Sequence, residues 1–333
     1  MIYDYIYFYA SKYLPWPFSL LASLVAMLVA LLLIIAVVPV FIGWVDRKFS
    51  ARVESRWGPV YVGPFGLLQN VADVIKLMGK RFITSKGDWF SYNFAPLALG
   101  VASFLMVAII PWGLPSLAFI NIPYNLLFVY IFLAVSPLLI LTAGWGENNK
   151  YAIIGGFRGA AQIATYELAL LITIVSAAVV SGTYSIAGIV NGQSHVWYIG
   201  YLPLTFLIFI VAGLGVIERE PFDMPEASQE LQAGWKVEYS GIKFGFFLLS
   251  DYIRLLVLSM LLVYIFLGGW LGPAMIPPFA WFWIKTTLAL FMLMIPRWVY
   301  GRPRIDQFIR FGWNWLLPLA IINLLAAGVL VFI

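Results

Sequence analysis

Long apolar runs alternate with short polar connections along the full 333-residue chain. Eight of these runs, at 18–42, 94–111, 124–144, 160–181, 199–217, 241–266, 279–297 and 312–333, predict membrane-spanning helices. The criterion is physical, because ~30 Å of hydrocarbon takes about 20 apolar residues in an α-helix. The shortest runs reach across only if they stand nearly upright. Between the first two runs, Leu67, Leu68, Val71, Val74, Ile75 and Met78 recur at helical spacing. Gln69, Asn70, Asp73, Lys76 and Lys80 fall on the opposite face. That pattern predicts an amphipathic helix lying at the membrane interface. It serves either as a surface anchor or as the wall of a chamber for an amphipathic ligand. The first run is too long, and its successors too many, for a cleaved secretory signal. No internal repeat is visible, which argues against an inverted-repeat transporter.

Composition supports the pattern. The chain is 63% hydrophobic and only 11% charged, where a soluble domain carries about a quarter charged residues. The predicted fold class is therefore an all-α polytopic membrane protein, with eight transmembrane helices plus an amphipathic interfacial helix. It forms a single integral membrane domain over 1–333, with inner loops 43–93, 145–159, 218–240 and 298–311. Lys and Arg crowd those inner loops, from Arg47 through Lys86 and again at Lys150, Arg158, Arg219, Lys236, Lys243, Arg297, Arg302, Arg304 and Arg310. The opposite side carries only Lys12, and its loops 112–123, 182–198 and 267–278 have neither residue. By the positive-inside rule both termini lie outside, and the basic and acidic loops face the cytoplasm of a prokaryotic cell. The net charge of +5 is thus a topological signal and not one for nucleic acid. The chain has no cysteine, which excludes thiolate-bound iron–sulfur clusters within it. Its single histidine, His195, falls in an outer loop and reads as a surface residue.

Charges inside apolar runs are costly and face a bundle interior or a wet cavity. Glu167, Asp251, Arg254 and Lys285 are the four such residues. Glu167 points away from Arg158 on its helix, so it either carries protons or meets a neighbouring helix. Asp251 and Arg254 are three apart and share a face, the plainer reading being a self-neutralised pair. Lys285 is a counter-ion or a proton-relay member whose partner the pattern does not name. The densest charge lies between the fifth and sixth runs, where Glu218, Glu220, Asp223, Glu226 and Glu230 surround Arg219. Asp223 is placed to cap a helix beginning near Met224, with Pro225 in its first turn and Glu226 at N3. Asp223, Glu226 and Glu230 would then share one face. Capping does not account for Glu218, Glu220 and Glu230. Clustered carboxylates repel and share protons, which suits proton uptake.

The chain shows no P-loop, no dinucleotide fingerprint, no Ser–His–Asp candidate and no HExxH motif, so no catalytic residue and no metal site is assigned. Four blocks nevertheless resemble a known family. They are Gly58-Pro59 with Val62-Gly63-Pro64-Phe65-Gly66-Leu67-Leu68-Gln69; Ala143-Gly144-Trp145 through Lys150-Tyr151-Ala152 with Arg158 and Tyr166-Glu167; Pro221-Phe222-Asp223-Met224-Pro225-Glu226-Ala227 with Val237-Glu238-Tyr239-Ser240; and Arg297, Arg302, Arg304 with Asp306-Gln307 and Gly312-Trp313. In this order they resemble the H-type membrane subunit of respiratory complex I, the counterpart of mitochondrial subunit 1.

The resemblance implies a membrane subunit of an NADH-quinone oxidoreductase. Such a subunit anchors the hydrophilic redox arm, forms part of the quinone-access chamber and links quinone reduction to proton movement. On this reading the proton path comprises Glu167, Glu218, Glu220, Asp223, Glu226, Glu230, Asp251 and Lys285. The quinone chamber comprises Arg47, Phe65, Leu68, Gln69, Asp73 and Phe222. The implied partners are the quinone-site and iron–sulfur subunits of the redox arm, small membrane subunits, antiporter-like subunits, quinone and lipid. No cofactor is expected in this chain, quinone is a substrate, and FMN and iron–sulfur clusters belong to partner subunits. Several positions depart from the family pattern. Asp46-Arg47 replaces Glu-Arg, Val60-Tyr61 replaces Asn-Arg, and Val216-Ile217-Glu218-Arg219-Glu220 replaces Glu-Thr-Asn-Arg-Ala. Asp251 stands where Glu is common, with Arg254 beside it. These departures imply a divergent, archaeal-type branch. Its alternatives are the homologous anchor of a membrane-bound hydrogenase or ferredoxin-dependent complex and, from another class, a free-standing ion transporter.

Overall fold

Helix α1 (Ile2–Tyr13) lies against α2 (Phe18–Val53) in a computed structural model that describes residues 2–13, 18–81, 87–273 and 275–332. Lys86 and Ile333, both used in the sequence reading, lie outside the described residues. The hydrophobic pattern gave no sign of α1. It also ended the first span at 42, where charges begin, whereas α2 continues to Val53. No helix breaker follows Gly43 until Gly58-Pro59. At 36 residues α2 is ~54 Å long, well beyond the ~30 Å of hydrocarbon. Its last turns therefore carry Asp46, Arg47, Lys48 and Arg52 past the apolar layer.

The amphipathic segment folds as α3 (Gln69–Gly79) and packs on α2 and the later α12. Asn70 Nδ2 donates to Val40 O at 2.8 Å and ties α3 to α2. Helix α4 (Trp89–Ile109) is capped by Asp88, which accepts from the Phe90 and Ser91 amides. The predicted third span is α5 (Asn125–Ala134) followed by α6 (Ser136–Gly146). The break at Val135 precedes Pro137, which has no N–H to bond the Leu133 carbonyl.

Helix α7 (Lys150–Ser181) begins well before the predicted 160. Gly155, Gly156 and Gly159 dilute the apolar signal there but permit close packing. A Cβ on Gly155 would lie 2.7 Å from Gly234 Cα. After α8 (Ile186–Gly192) and α9 (Tyr198–Tyr201), the predicted fifth span forms α10 (Pro203–Val216). Its 14 residues extend ~21 Å. Seven helices in the described residues are long and apolar enough to cross a membrane, and α10 is shorter.

Between α10 and α12 (Gly241–Phe266) there are only the single turn α11 (Ser228–Leu231) and a 3-10 turn at Gly234–Lys236. Then come α13 (Pro278–Met294), α14 (Pro296–Val299), α15 (Ile305–Phe311), a π-helical turn at Gly312–Leu316 and α16 (Leu317–Phe332). No strand occurs among the described residues. The most apolar stretch of α12 is 72% buried and that of α2 only 17%, so α12 runs through the interior while α2 lies at the edge. Helix α7 packs on α6, α10 and α16.

Candidate functional site

The segment between α10 and α12 is irregular because its sequence resists a helix. Pro221 and Pro225 remove donors, and Gly234 turns with a φ of 55°. A Cβ on Gly234 would overlap the Pro225 carbonyl, so the segment folds back on itself. This fold corrects the expected capped helix. Residues 223–227 are not helical, and Asp223, Glu226 and Glu230 do not share a face. Asp223 and Glu230 instead meet cations from other parts of the chain, and Glu226 meets Lys236 farther along the same segment.

Lys236 is the hub of one cluster. Its ammonium contacts the Glu226 carboxylate and reaches Asp251 Oδ2 at 2.7 Å, while Arg254 Nη2 lies 2.5 Å from Asp251 Oδ1. Lys236 and Arg254 have side chains only 5% and 1% exposed, so both depend on these partners. Burial pulls the Lys236 pKa down, but Asp251 and Glu226 outweigh it and hold the ammonium above the ordinary lysine range. Glu218 completes the group. It is 7% exposed, its backbone φ is 53°, and neither carboxylate oxygen has a hydrogen-bond partner. Its Oε1 abuts Gly159 of α7. Burial pushes its carboxyl up to about 8, against the pull of Arg254 and with the push of Glu226. Burial raises Glu226 too, with Lys236 opposing. Three carboxylates thus face two cations, and neutrality requires one proton on the acids.

A second cluster continues from the first. Arg219 Nη1 donates to Asp46 Oδ2 at 2.9 Å, and Arg297 lies 3.7 Å from the same oxygen. Arg297 Nε also meets Glu220 at 2.9 Å, and Arg302 Nη2 donates to Asp223 Oδ2 at 2.6 Å. Burial pushes Asp223 up to about 7, helped by Glu226 and opposed by Arg302. Glu230, 65% exposed, pairs with Arg158 at 2.7 Å on the rim.

Beside these clusters lies an apolar pocket of about 220 Å³ between α2, α3 and α12. Leu77, Met78, Ile242, Phe246 and Leu249 form its greasy wall, and Arg47, Asp73, Asn70 and Tyr252 supply its polar positions. Arg47 Nη1 donates to Asp73 Oδ2 at 2.6 Å. Tyr252 follows Asp251 in sequence, and the Arg219 guanidinium lies 5.4 Å from its ring centroid. One aromatic side chain therefore touches both the pocket and the ion-pair network.

The remaining sequence-derived residues lie elsewhere. Gln69 reaches the pocket only through Asp73, to which its amide donates at 3.3 Å. Phe65 and Leu68 are exposed and do not line the pocket. Phe222 is stacked on Phe308 at 4.2 Å, beside Tyr166. Glu167 accepts from the Tyr130 hydroxyl at 3.2 Å, apart from the acidic segment. Asp251 and Arg254 do pair directly, at 2.5 Å, and Asp251 also shares Lys236 with Glu226. Lys285 bonds only backbone carbonyls among its described hydrogen-bond partners. His195 is exposed.

Sequence reasoning missed Lys236, Arg219 and Arg297 as partners, because all three read as ordinary inner-loop basics. It also missed Glu147, which is 1% exposed and accepts from the Glu238 amide at 3.2 Å. Burial raises its carboxyl to about 9.

Residues 25–328 match the protein family described as NADH dehydrogenase. The chain is 38% identical over 310 residues to the second H-type NADH-quinone oxidoreductase subunit of Geobacter sulfurreducens, an alignment covering 90% of this chain and 94% of that protein. It is 36% identical over 304 residues to the corresponding second H-type subunit of Syntrophobacter fumaroxidans, covering 89% and 92%. Against the H-type NADH-quinone oxidoreductase subunit of Bacteroides thetaiotaomicron it is 37% identical over 307 residues, covering 87% and 86%.

Proposed function

The chain belongs to the NADH dehydrogenase family, and from that membership we propose that it is a complex I-type membrane subunit that forms part of a quinone-access chamber and couples quinone reduction to proton translocation. The observation that carries this reading is the contact between pocket and network through Tyr252. A pocket with an apolar wall and few polar groups suits an amphipathic quinone. A change of charge on a ligand there acts on Arg219, Asp46 and the Asp251–Lys236–Glu226 chain at short range and low dielectric. Glu218, Asp223 and Glu226 are the groups poised to answer by taking up or releasing a proton, since their carboxyls are raised. Glu167 lies farther along α7 as a later station.

In this proposal the chain binds no cofactor of its own. Quinone is the substrate, and FMN and iron–sulfur clusters reside in redox-arm partners. Antiporter-like and small membrane subunits complete the membrane arm in a prokaryotic cell membrane, with the acidic and basic loops in the cytoplasm. The test is Glu226→Gln in the assembled complex, reading protons translocated per quinone reduced. That ratio is expected to fall while assembly persists. Glu230→Gln, at the exposed rim, is expected to leave it nearly intact. An unchanged ratio in Glu226→Gln overturns the coupling role.

A further inference from the structure

Lys285 is a buried cation that the proposed coupling path does not use. Asp251, which holds Lys236, lies within helix α12, and the 15 residues from it to the far end at Phe266 rise only ~23 Å. Lys285 sits at that far end. Its side chain crosses from α13 to the connection that follows α12. There the ammonium donates to Leu267 O at 2.7 Å, Leu271 O at 2.5 Å and Gly269 O at 3.3 Å. An ammonium has three donors, and all three are used. The Trp197 ring lies 4.2 Å from Nζ and the Trp281 ring 6.0 Å, distances at which an aromatic face attracts a cation. Lys285 is 5% exposed overall.

The cage is built by the fold around it. Gly268 and Gly269 have φ values of 69° and 50°, so the connection curls and turns the alternate carbonyls of Leu267, Gly269 and Leu271 toward one point. Gln193, itself 1% exposed, fixes the curl. Its Oε1 accepts from the Gly268 amide at 2.9 Å, and its Nε2 donates to Tyr264 O at 2.8 Å. Tyr264 in turn donates to Pro111 O at 2.6 Å and accepts from the Gly113 amide at 3.1 Å. The cage also lies just past the C-terminal end of α12, whose C-cap is Leu267, where the helix dipole favours positive charge.

We infer that residues 267–271 of the α12–α13 connection form a binding cage for a monovalent cation of the ammonium class, occupied by the chain's own Lys285, whose tethered charge holds this end of the bundle closed. This assignment stands apart from the quinone and proton reading, and its test reads neither activity. The chain has no cysteine, so Leu271→Cys is a reporter whose alkylation can be followed by mass in the purified complex. Leu271 is partly buried in the closed connection, and opening exposes the thiol further.

Lys285→Ala in that background is expected to speed alkylation about tenfold or more, equivalent to ~1.4 kcal/mol. Propylammonium chloride restores protection by refilling the cage, while sodium chloride at equal ionic strength does not. Alkylation at the parental rate, or equal effects of the two salts, overturns the assignment. Trp197→Leu retains the lysine and guards against failure of the alanine variant to accumulate. It is expected to speed alkylation to a smaller extent, and an unchanged rate in it also counts against the cage.

Discussion

Lys236→Met tests the central ion-pair chain most directly. The substitution keeps an unbranched apolar stem of similar length and removes the charge that joins Glu226 to Asp251. Removing one partner of a buried pair costs ~3–5 kcal/mol, because the remaining charge stays desolvated. The lower end applies here, since the Glu226 and Asp251 side chains retain 30% and 25% of their exposure. The two carboxylates are not equivalent. Asp251 keeps Arg254 at 2.5 Å, whereas no other cation contacts Glu226 among the described ion pairs. Adding Glu226→Gln to Lys236→Met therefore recovers more stability than adding Asp251→Asn. The coupling energy in the first cycle falls within about 0.5–3 kcal/mol. The assay is equilibrium unfolding of the purified protein in detergent for the four members of each cycle. Additivity within ~0.5 kcal/mol in the Lys236/Glu226 cycle, or a larger coupling to Asp251, refutes the argument that Lys236 is the main neutraliser of Glu226.

Glu218 makes stability depend on pH in a defined direction. Its folded carboxyl sits at about 8 against an ordinary 4.5, so between those values the folded state holds a proton that the unfolded state has released. Stability is accordingly greatest below this window and falls as pH rises through it. Glu218→Gln is expected to flatten the slope of unfolding free energy against pH, and an unaltered slope places the retained proton elsewhere. Gly245→Leu tests the pocket. A Cβ at 245 meets Leu77 Cδ1 at an ordinary 3.7 Å, so the leucine occupies cavity space without a backbone clash. Excluding two or three methylenes of a quinone tail at ~0.8 kcal/mol each raises the quinone KM roughly tenfold or more, with kcat little changed. A loss confined to kcat would show that the pocket does not receive the tail.

The fold class, most of the spans and the surface helix α3 were legible in the residues alone. Hydrophobic run length and helical periodicity are local, and the hydrocarbon layer forces unpaired backbone into helices. Misplaced ends arose where local chemistry and helix continuation part company. Charges at Asp46 and Arg47 ended the predicted first span while α2 ran on, and glycines hid the first turns of α7. The acidic segment was legible as a charge anomaly and as a family motif.

Which cation each carboxylate meets emerges only when the segments are packed together. The deciding contacts join residues far apart in sequence, as Arg219 joins Asp46 and Arg302 joins Asp223. No periodicity encodes such a pairing, because it depends on where the proline- and glycine-broken segment lands against α2, α12 and α14. The same holds for Lys285. In the sequence it was a lone charge in an apolar run, and what it does was set by three carbonyls turned inward by Gly268 and Gly269.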